Sequence, residues 1–359
     1  MKWMFLAMMI AYLGGNAYIF VRALQQMSGA PMWVRVLFGA IYWLAAVSLF
    51  VAMGLRHSTL PATVSRTLFS VGSVWLVFTL YMVIALIVCD LAHWAAPSLR
   101  GGFWIALGVV GAVLAYGYWN YRHPRVVELD LTIDRPIEGG EMRIVAVSDV
   151  HLGEGTGRKA LSRYVELINA QKPDAVLIAG DLIDNSVVPV ERDSMCEEFA
   201  AVDAPIYMVA GNHEYISGLE RVEKLLEPTP VHLLRDTIVT LPNGVQLIGR
   251  DDRSNRRRES LAALIAQADP MRPIVVLDHQ PYHLAEADSL GIDLQISGHT
   301  HRGQVWPLNL LVDRMYEQSY GYRRWSQAHI YVSSGLSLWG PPFRIGTQSE
   351  IAVIRLRNE

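Results

Sequence analysis

Cysteine is scarce in this sequence, which has only Cys89 and Cys196 among its 359 residues. Two isolated thiols indicate neither a disulfide framework nor a thiolate metal site. The chain also lacks internal repeats and low-complexity linkers. Its organisation must therefore be deduced from hydrophobic runs, charge and short polar motifs.

Acidic residues are almost absent from the first third of the chain. Asp90 is the only one between Met1 and Arg125, a segment with eight Lys and Arg residues. The remainder has twenty-three basic and thirty-three acidic residues, a net charge of −10. We expect no nucleic-acid partner for so acidic a domain, because affinity for a polyanion depends on neutralising phosphates with Lys and Arg.

Long apolar runs fill the segment that lacks acids. Each approaches or exceeds the roughly 20 residues that a helix needs to cross a bilayer. Buried core helices are the alternative, but soluble helices would show more amphipathic polarity over this length. The sequence predicts four membrane-spanning helices, at residues 3–21, 36–54, 68–91 and 101–119.

Basic residues flank these spans unequally. Because the number of spans is even, both ends of the segment lie on one side of the membrane. That side has Lys2, Arg56, Arg66, Arg122 and Arg125, and the other side has Arg22, Arg35 and Arg100. Because positive charge favours the cytoplasmic side, we expect the domain that follows to be cytoplasmic. A periplasmic or extracellular domain is the alternative.

Short apolar runs alternate with helical stretches from residue 126 onward, as is typical of a layered α/β domain. Strands are predicted at residues 126–133, 142–147, 175–179, 206–210, 245–249, 274–277, 294–297, 330–333 and 351–355. Helices are predicted at residues 159–170, 190–200, 218–226 and 260–268. We therefore divide the chain into a four-helix transmembrane domain, 1–125, and an α/β domain, 126–359.

Five polar clusters punctuate the α/β domain, most of them directly after a predicted strand. Each cluster taken alone has an ordinary structural explanation, since Gly and Asp are common turn residues and Asn212 could cap a helix. Five such clusters in sequence are better explained by one site at a sheet edge. They are Ser148-Asp149-Val150-His151, Gly180-Asp181, Gly211-Asn212-His213-Glu214, Asp278-His279 and Gly298-His299-Thr300-His301.

Carboxylate, amide and imidazole donors suit a pair of divalent cations about 3.5–4 Å apart. Asp181 suits the anionic ligand that bridges two ions. Asp149 and His151 alternate along the chain, so both can reach one ion if the backbone leaves strand geometry just after Asp149. The side chains of His299 and His301 could point to different ions, so that each ion binds one of them.

The remaining polar residues fit around the same centre. Asn212 and His279 complete a plausible donor set for the other metal. His213 directly follows a predicted ligand, so it could point into the site without binding metal.

This order of motifs resembles the calcineurin-like metallophosphoesterases, whose Asp-x-His, Gly-Asp, Gly-Asn-His-Asp/Glu, His and Gly-His-x-His motifs are all present here. The resemblance implies a four-layer α/β fold of two mixed β-sheets flanked by helices. It assigns His213 as the catalytic histidine. It also assigns Asp149, His151, Asp181 and His301 to the first metal, and Asp181, Asn212, His279 and His299 to the second.

The same resemblance implies a membrane-anchored, dinuclear metal-dependent phosphoesterase in which a metal-bridging hydroxide attacks phosphorus in line. Manganese, iron and zinc all accept this donor set, and manganese is favoured. The stretch 294–304 is most similar to a bacterial subgroup that is often membrane-attached, which implies the inner membrane. We expect a phosphodiester, phosphomonoester or pyrophosphate of a lipid-linked substrate. The alternatives are a soluble nucleotide-like phosphodiester, or a sensor or transporter with a regulatory phosphoesterase domain.

Two departures from the wider family concern the substrate. Protein serine/threonine phosphatases of this superfamily have an Arg after the second aspartate of their Gly-Asp motif, whereas Asn185 follows Asp184 here, which disfavours a phosphoprotein. Arg302 stands where the bacterial subgroup commonly has glycine, and it could either reach the substrate or point to solvent.

Arginines also concentrate in one loop of the acidic domain, residues 250–258. This loop is either an exposed segment of partly self-paired charge or an anion clamp for a phosphorylated headgroup or the membrane surface. The candidate substrate ligands are Arg250, Arg253, Arg302 and Arg344. No feature of the sequence indicates an oligomeric state.

Overall fold

The apolar first third of the chain folds into four long helices. The computed structural model describes residues 2–55 and 61–358, so Arg56, used in the charge count above, lies outside the described residues. Each helix is long and apolar enough to cross a membrane, which confirms the four predicted spans. They are α1 (Lys2–Gln26), α2 (Met32–Gly54), α3 (Ala62–Ala95) and α4 (Gly102–Arg122).

A fully buried asparagine joins three of these helices. The side-chain oxygen of Asn16 on α1 accepts hydrogen bonds from the Tyr42 hydroxyl (3.1 Å), the Trp75 indole (2.9 Å) and the Thr79 hydroxyl (3.3 Å). In an apolar environment such interhelical bonds replace those that the amide would lose from water. The polar residue therefore has a packing role within the bundle.

The chain divides into two compact units, Met1–Trp119 with Gly340–Phe343, and Asn120–Trp339 with Arg344–Glu359. The predicted domain boundary at residue 125 stays a prediction. The second unit contains two six-stranded sheets, which confirms the predicted two-sheet α/β fold.

The first sheet has the strand order β1-β12-β2-β3-β4-β5. Strands β2 to β5 are parallel, whereas β12 runs antiparallel to β2 and parallel to β1. The strands are β1 (Arg125–Ile133), β2 (Glu141–Val147), β3 (Ala175–Ile178), β4 (Ile206–Val209), β5 (Val231–Leu234) and β12 (Glu350–Asn358).

The second sheet has the order β10-β11-β9-β8-β7-β6. Its four central strands are parallel, and β10 and β6 pair antiparallel at the two edges. The strands are β6 (Thr237–Thr240), β7 (Gln246–Gly249), β8 (Ile274–Leu277), β9 (Leu294–Ser297), β10 (Gly321–Arg324) and β11 (His329–Val332).

Apolar side chains of both sheets interdigitate in a central core, to which Ile144, Leu177, Leu247 and Ile296 contribute. A second core lies between the first sheet and helices α5, α6 and α8, and a third between the second sheet and helices α9 and α10. The result is four layers. The helices of this unit are α5 (Arg158–Asn169), α6 (Val188–Arg192), α7 (Asn212–Ser217), α8 (Leu219–Leu226), α9 (Leu261–Ile265), α10 (Leu284–Ser289) and α11 (Leu308–Met315).

All nine predicted strands are present, with ends shifted by at most a few residues. The sequence pattern missed β5, β6 and β10, which are four residues long and lie at or next to sheet edges, where a buried run is not required. It also missed α7, α10 and α11. The predicted helix at 190–200 is divided, because Ser194 adopts a left-handed conformation (φ 46°) between α6 and a short 3-10 helix, Met195–Ala201.

The close approach of α2 and α3 generates a test. A Cβ atom at Gly72 of α3 would lie 2.2 Å from the backbone nitrogen of Leu49. A Cβ atom at Gly111 of α4 would have no neighbouring atom within 4 Å. Overpacking typically costs about 1–3 kcal/mol. We therefore expect Gly72→Ala to lower the thermal unfolding temperature in detergent and Gly111→Ala to leave it unchanged or slightly higher. Equal unfolding temperatures for the two variants would contradict the packing described.

Candidate metal centre

The five polar clusters lie at the carboxyl ends of parallel strands. Asp149 and His151 follow β2, Asp181 follows β3, and Asn212 follows β4 in the first sheet, while β8 and β9 of the second sheet lead to the remaining histidines. Parallel strands end at one edge of their sheet, where ligand sites collect in α/β folds. The two sheets thus bring their polar loops to a common site.

The backbone leaves strand geometry at most of these ligands. The motif spacing predicts this change just after Asp149, but β2 already ends at Val147. Holding a non-glycine residue in the left-handed region costs of order 1–3 kcal/mol, and such residues cluster at functional sites. Five of the seven predicted ligands have a positive φ: Asp149 (54°), His151 (48°), Asp181 (54°), His299 (72°) and His301 (47°).

Asp149, His151 and His301 form the first cluster. The Nε2 atoms of the two histidines lie 3.1 Å apart. Asp149 Oδ1 lies 3.4 Å from His301 Nε2 and 3.8 Å from His151 Nε2. All three side chains are buried, and Asp181 Oδ2 is 4.0 Å from His151 Nε2. The structure therefore brings together the four residues assigned to the first metal.

Asp181, His279 and His299 form the second cluster, with one potential ligand atom from each within 4.8 Å of the others. Asp181 Oδ2 lies 3.1 Å from His279 Nε2, and Asn212 Oδ1 lies 3.2 Å from the same nitrogen. Because its carboxylate adjoins both clusters, Asp181 occupies the position that a bridging ligand requires.

The donor chemistry of these clusters fits divalent cations. Burial, with a smaller contribution from His279, lowers the pKa of His299 to about 4, and burial beside His151 holds the pKa of His301 well below its ordinary value. Both imidazoles are therefore neutral and offer lone pairs, as metal binding requires. Burial raises the pKa of Asp149, a carboxylate whose charged form a cation would stabilise.

A hydrogen bond to the backbone orients the imidazole of His279. His279 Nδ1 lies 2.7 Å from the backbone oxygen of Ala179, to which it can donate. Nε2, which faces Asp181 and Asn212, is then the atom that would bind a cation. Although burial opposes it, the carboxylate of Asp181 raises the pKa of His279 well above its ordinary value, so a cation would displace the Nε2 proton. Metal-binding histidines commonly have such a partner on the nitrogen that does not bind the ion.

Asp184 joins the site although it is not among the residues predicted from the sequence. Its Oδ1 atom lies 3.5 Å from His151 Nδ1 and 3.4 Å from His213 Nδ1, and its backbone oxygen accepts a 2.6 Å hydrogen bond from His213 Nδ1. The signal available in the sequence was an aspartate three residues after Asp181 in the same loop. Asp184 orients His213 so that Nε2 is the nitrogen available to a substrate.

His213 carries a perturbed pKa. Burial alone would lower this pKa, but the carboxylates of Asp184 and Asp181 outweigh the burial and raise it to about 9. The side chain retains 12% exposure. Asp184 is not a predicted ligand, so it would still raise the pKa of His213 if a cation neutralised Asp181. His213 is therefore a candidate proton donor near the ligand clusters.

Glu214 is another residue whose role could not be predicted from the sequence. Its fully buried carboxylate accepts hydrogen bonds from the backbone N–H groups of Asp181 (3.0 Å), Ile183 (2.9 Å) and Gly211 (2.7 Å). These bonds fix the β3 loop relative to the start of α7. Glu214 therefore positions Asp181 and Asn212 through their backbone.

Two of the four candidate substrate arginines have structural roles instead. Arg344 is fully buried, and its guanidinium donates to the backbone oxygens of His301 (2.9 Å), Gly335 (3.1 Å), Ser334 and Ser337 (3.0 Å). Arg250 is also buried and pairs with Asp278 at 2.6 Å. Both predictions are corrected, because these guanidinium groups are committed to protein acceptors away from solvent.

The other two arginines lie at the surface of the domain. Arg302 is part-buried, lies over the ring of Tyr320 at 4.9 Å and is 3.7 Å from Asp313. Arg253 is exposed and lies over the ring of Tyr282 at 4.3 Å. The Tyr282 hydroxyl donates to that of Tyr316 at 3.3 Å, and the ring of Tyr316 lies 6.3 Å from that of His299. Arg253 is thus connected to the second cluster by two aromatic side chains.

Removal of the Glu214 carboxylate should expose its positioning role. Glu214→Ala leaves three buried N–H groups without an acceptor, and each such group costs about 1–3 kcal/mol. We expect a lower unfolding temperature and weaker metal retention in dialysis, with Glu220→Ala, an exposed glutamate on α8, as the matched control. Unchanged metal retention in a folded Glu214→Ala protein would contradict the role assigned to this residue.

Comparisons with known proteins agree with this geometry. The calcineurin-like phosphoesterase family model matches residues 142–303, which contain all seven predicted ligands and His213. An uncharacterized metallophosphoesterase of Helicobacter pylori (strain J99) is 33% identical over 264 residues, covering 72% of this chain and 70% of the relative. A transmembrane protein with metallophosphoesterase domain from Danio rerio is 30% identical over 274 residues, covering 71% and 62%.

A 5'-nucleotidase precursor from Thermus thermophilus is a more distant structural neighbour, with 16% identity, a TM-score of 0.38, and coverage of 56% of this chain and 49% of that one. The family assignment depends on the motif-bearing region and on the sequence relatives. The four apolar helices and the transmembrane relative also indicate a membrane protein. The chain belongs to the calcineurin-like metallophosphoesterases, a family of dinuclear, metal-dependent phosphoester hydrolases.

Proposed function

We propose that this protein is a membrane-anchored phosphoesterase that hydrolyses a phosphodiester, phosphomonoester or pyrophosphate bond of a lipid-linked substrate. The supporting observation is that six buried or part-buried donors converge in two adjoining clusters at the ends of parallel strands. Two divalent ions held there, manganese favoured over iron or zinc, would lower the pKa of a water and neutralise phosphoryl oxygens.

His213 provides the proton in this proposal. Its Nδ1 atom is held by the backbone oxygen of Asp184, so the proton on Nε2 can pass to the leaving oxygen of the phosphoester. The Asp184 carboxylate, 3.4 Å from Nδ1, favours the protonated imidazole. General acid catalysis of this kind contributes typically 10²–10⁴-fold to the rate. Asp184 acts as a positioning residue, since it touches His213 and His151.

The lipid-linked substrate class follows from the attachment of the domain. Helix α4 ends at Arg122 and β1 begins at Arg125, so two residues, which extend for roughly 10 Å at most, connect a membrane span to the first strand. An enzyme anchored so closely meets lipid substrates in the same bilayer. We place the protein in the bacterial inner membrane with the catalytic domain in the cytoplasm, as the excess of basic residues on that side favours.

A soluble nucleotide-like phosphodiester is the second candidate substrate. The part-buried rings of Tyr282 and Tyr316 beside His299 favour it, because aromatic side chains stack on nucleobases. In either case Arg253, exposed at the outer end of this aromatic pair, is the candidate ligand for a further anionic group. The absence of an Arg at Asn185 disfavours a phosphoprotein.

Replacement of Asp181 and of His213 should have different consequences. Asp181→Ala removes a carboxylate shared by both clusters, so we expect loss of bound metal and of activity together. His213→Ala should lower the turnover number by about 10²–10⁴-fold with the metal content retained. The measurements are metal content by mass spectrometry and hydrolysis of bis-p-nitrophenyl phosphate by the full-length protein in detergent with Mn²⁺.

An inactive Asp149→Ala preparation serves as the control for contaminating phosphatases. Equal metal loss in the Asp181→Ala and His213→Ala proteins would overturn this division of roles. A wild-type protein that binds metal without hydrolysing any phosphoester would favour a regulatory domain over an enzyme.

Arg253 should affect substrate affinity more than turnover. A hydrogen bond to a charged group contributes about 1.5–3 kcal/mol, so we expect Arg253→Ala to raise the KM for an anionic lipid phosphoester roughly tenfold or more. Arg272→Ala, which removes another exposed arginine, is the matched control and should leave the KM unchanged. The same KM for both variants would exclude Arg253 from the substrate site.

A further inference from the structure

Helix α11 exposes most of its apolar side chains. The exposed fractions are 55% for Leu310, 60% for Leu311 and 59% for Met315, and Leu308 is exposed as well. The asparagine of the same helix, Asn309, is buried at 8% exposure. A helix at a water-facing surface normally buries its apolar stripe and exposes its polar residues. We call Leu308, Leu310, Leu311 and Met315 the apolar face of α11.

The residues around this apolar face are those of an interfacial helix. Trp306 precedes the helix and is 45% exposed, and Arg314 is exposed within the helix. Exposed leucine and tryptophan with arginine nearby are typical of helices that lie in the plane of a membrane surface. Exposed apolar side chains concentrated in this way mark an interaction site.

The apolar face lies next to the metal centre in the fold as well as in the sequence. Predicted ligands His299 and His301 precede α11 by only a few residues, joined to it by a short 3-10 helix, His301–Gly303. Tyr316 follows the last residue of α11, and its ring lies 6.3 Å from that of His299. A lipid held against α11 therefore has its headgroup within reach of the second cluster.

We propose that the apolar face of α11 inserts into the surface of the bilayer that holds α1 to α4, and that lipid-borne phosphoester groups enter the site past Tyr316. The occupant is lipid because the chain itself carries four membrane spans, and two residues connect the last of them to this domain. The substrate part of this inference rests on the proposed function, whereas the contact with lipid does not.

Site-directed spin labelling measures this contact independently of catalysis. The full-length protein, with Cys89→Ala and Cys196→Ala, is labelled at Leu311→Cys or, as the control, at Met271→Cys, an apolar residue with 73% exposure in the turn before β8. Both proteins are reconstituted in vesicles of phosphatidylcholine and phosphatidylglycerol. We expect the Leu311 label to be relaxed by oxygen and sheltered from a water-soluble nickel chelate, and the Met271 label to be relaxed by the chelate.

Two outcomes would overturn the lipid contact. A Leu311 label that is as accessible to the chelate as the Met271 label would place α11 in water. A Leu311 label sheltered from both reagents would mean that protein, such as a second copy of the chain, covers the helix.

A double variant, Leu310→Gln with Leu311→Gln, tests the consequence for the substrate, with Met271→Gln as the control. We expect both proteins to match the wild type on bis-p-nitrophenyl phosphate in detergent, and the double variant alone to lose about tenfold on phosphatidic acid in vesicles. Equal rates on phosphatidic acid would overturn delivery by α11. If the Leu311 label lies in lipid but the wild type cleaves only soluble phosphoesters, the lipid contact stands and the proposed substrate class fails.

Discussion

The close approach of His151 and His301 is the contact on which the rest of the domain depends. Their Nε2 atoms lie 3.1 Å apart, beside a carboxylate oxygen of Asp149, and all three side chains are buried. Two imidazole nitrogens at this distance need either a shared proton or a cation between them, because facing lone pairs repel and a buried polar group without a partner is costly. The remainder of the α/β domain can be understood as the structure needed to hold these donors, and those around Asp181, in place.

That structure combines two sheets with a strained set of loops. Parallel strands deliver the clusters to one edge, and left-handed backbone at five predicted ligands turns the side chains inward. Buried groups maintain this conformation, since Glu214 binds three backbone N–H groups and Arg344 binds four backbone oxygens. The strain is local, and the hydrogen bonds that oppose it come from residues that do not need to touch a substrate.

The ligand set and the membrane spans could be predicted from the sequence because both depend on local patterns. Alternating aspartate and histidine after an apolar run, and some 20 apolar residues without acids, are recognisable without a fold. Asp184 and Glu214 could not be assigned in this way, since their roles depend on which backbone groups the sheets bring near them. The expectation that Arg344 and Arg250 bind substrate was wrong, because a sequence does not reveal that a charge is buried. The exposed apolar residues of α11 likewise emerge only once exposure is known.

The central claim is that these residues hold two metal ions, with Asp181 between them. The most direct measurement is anomalous diffraction from crystals of the full-length protein soaked in Mn²⁺. The account predicts two anomalous peaks roughly 3.5–4 Å apart, one beside Asp149, His151 and His301, the other beside Asn212, His279 and His299, with Asp181 contacting both. A single peak, or a peak centred on His151, Asp184 and His213 instead, would contradict it.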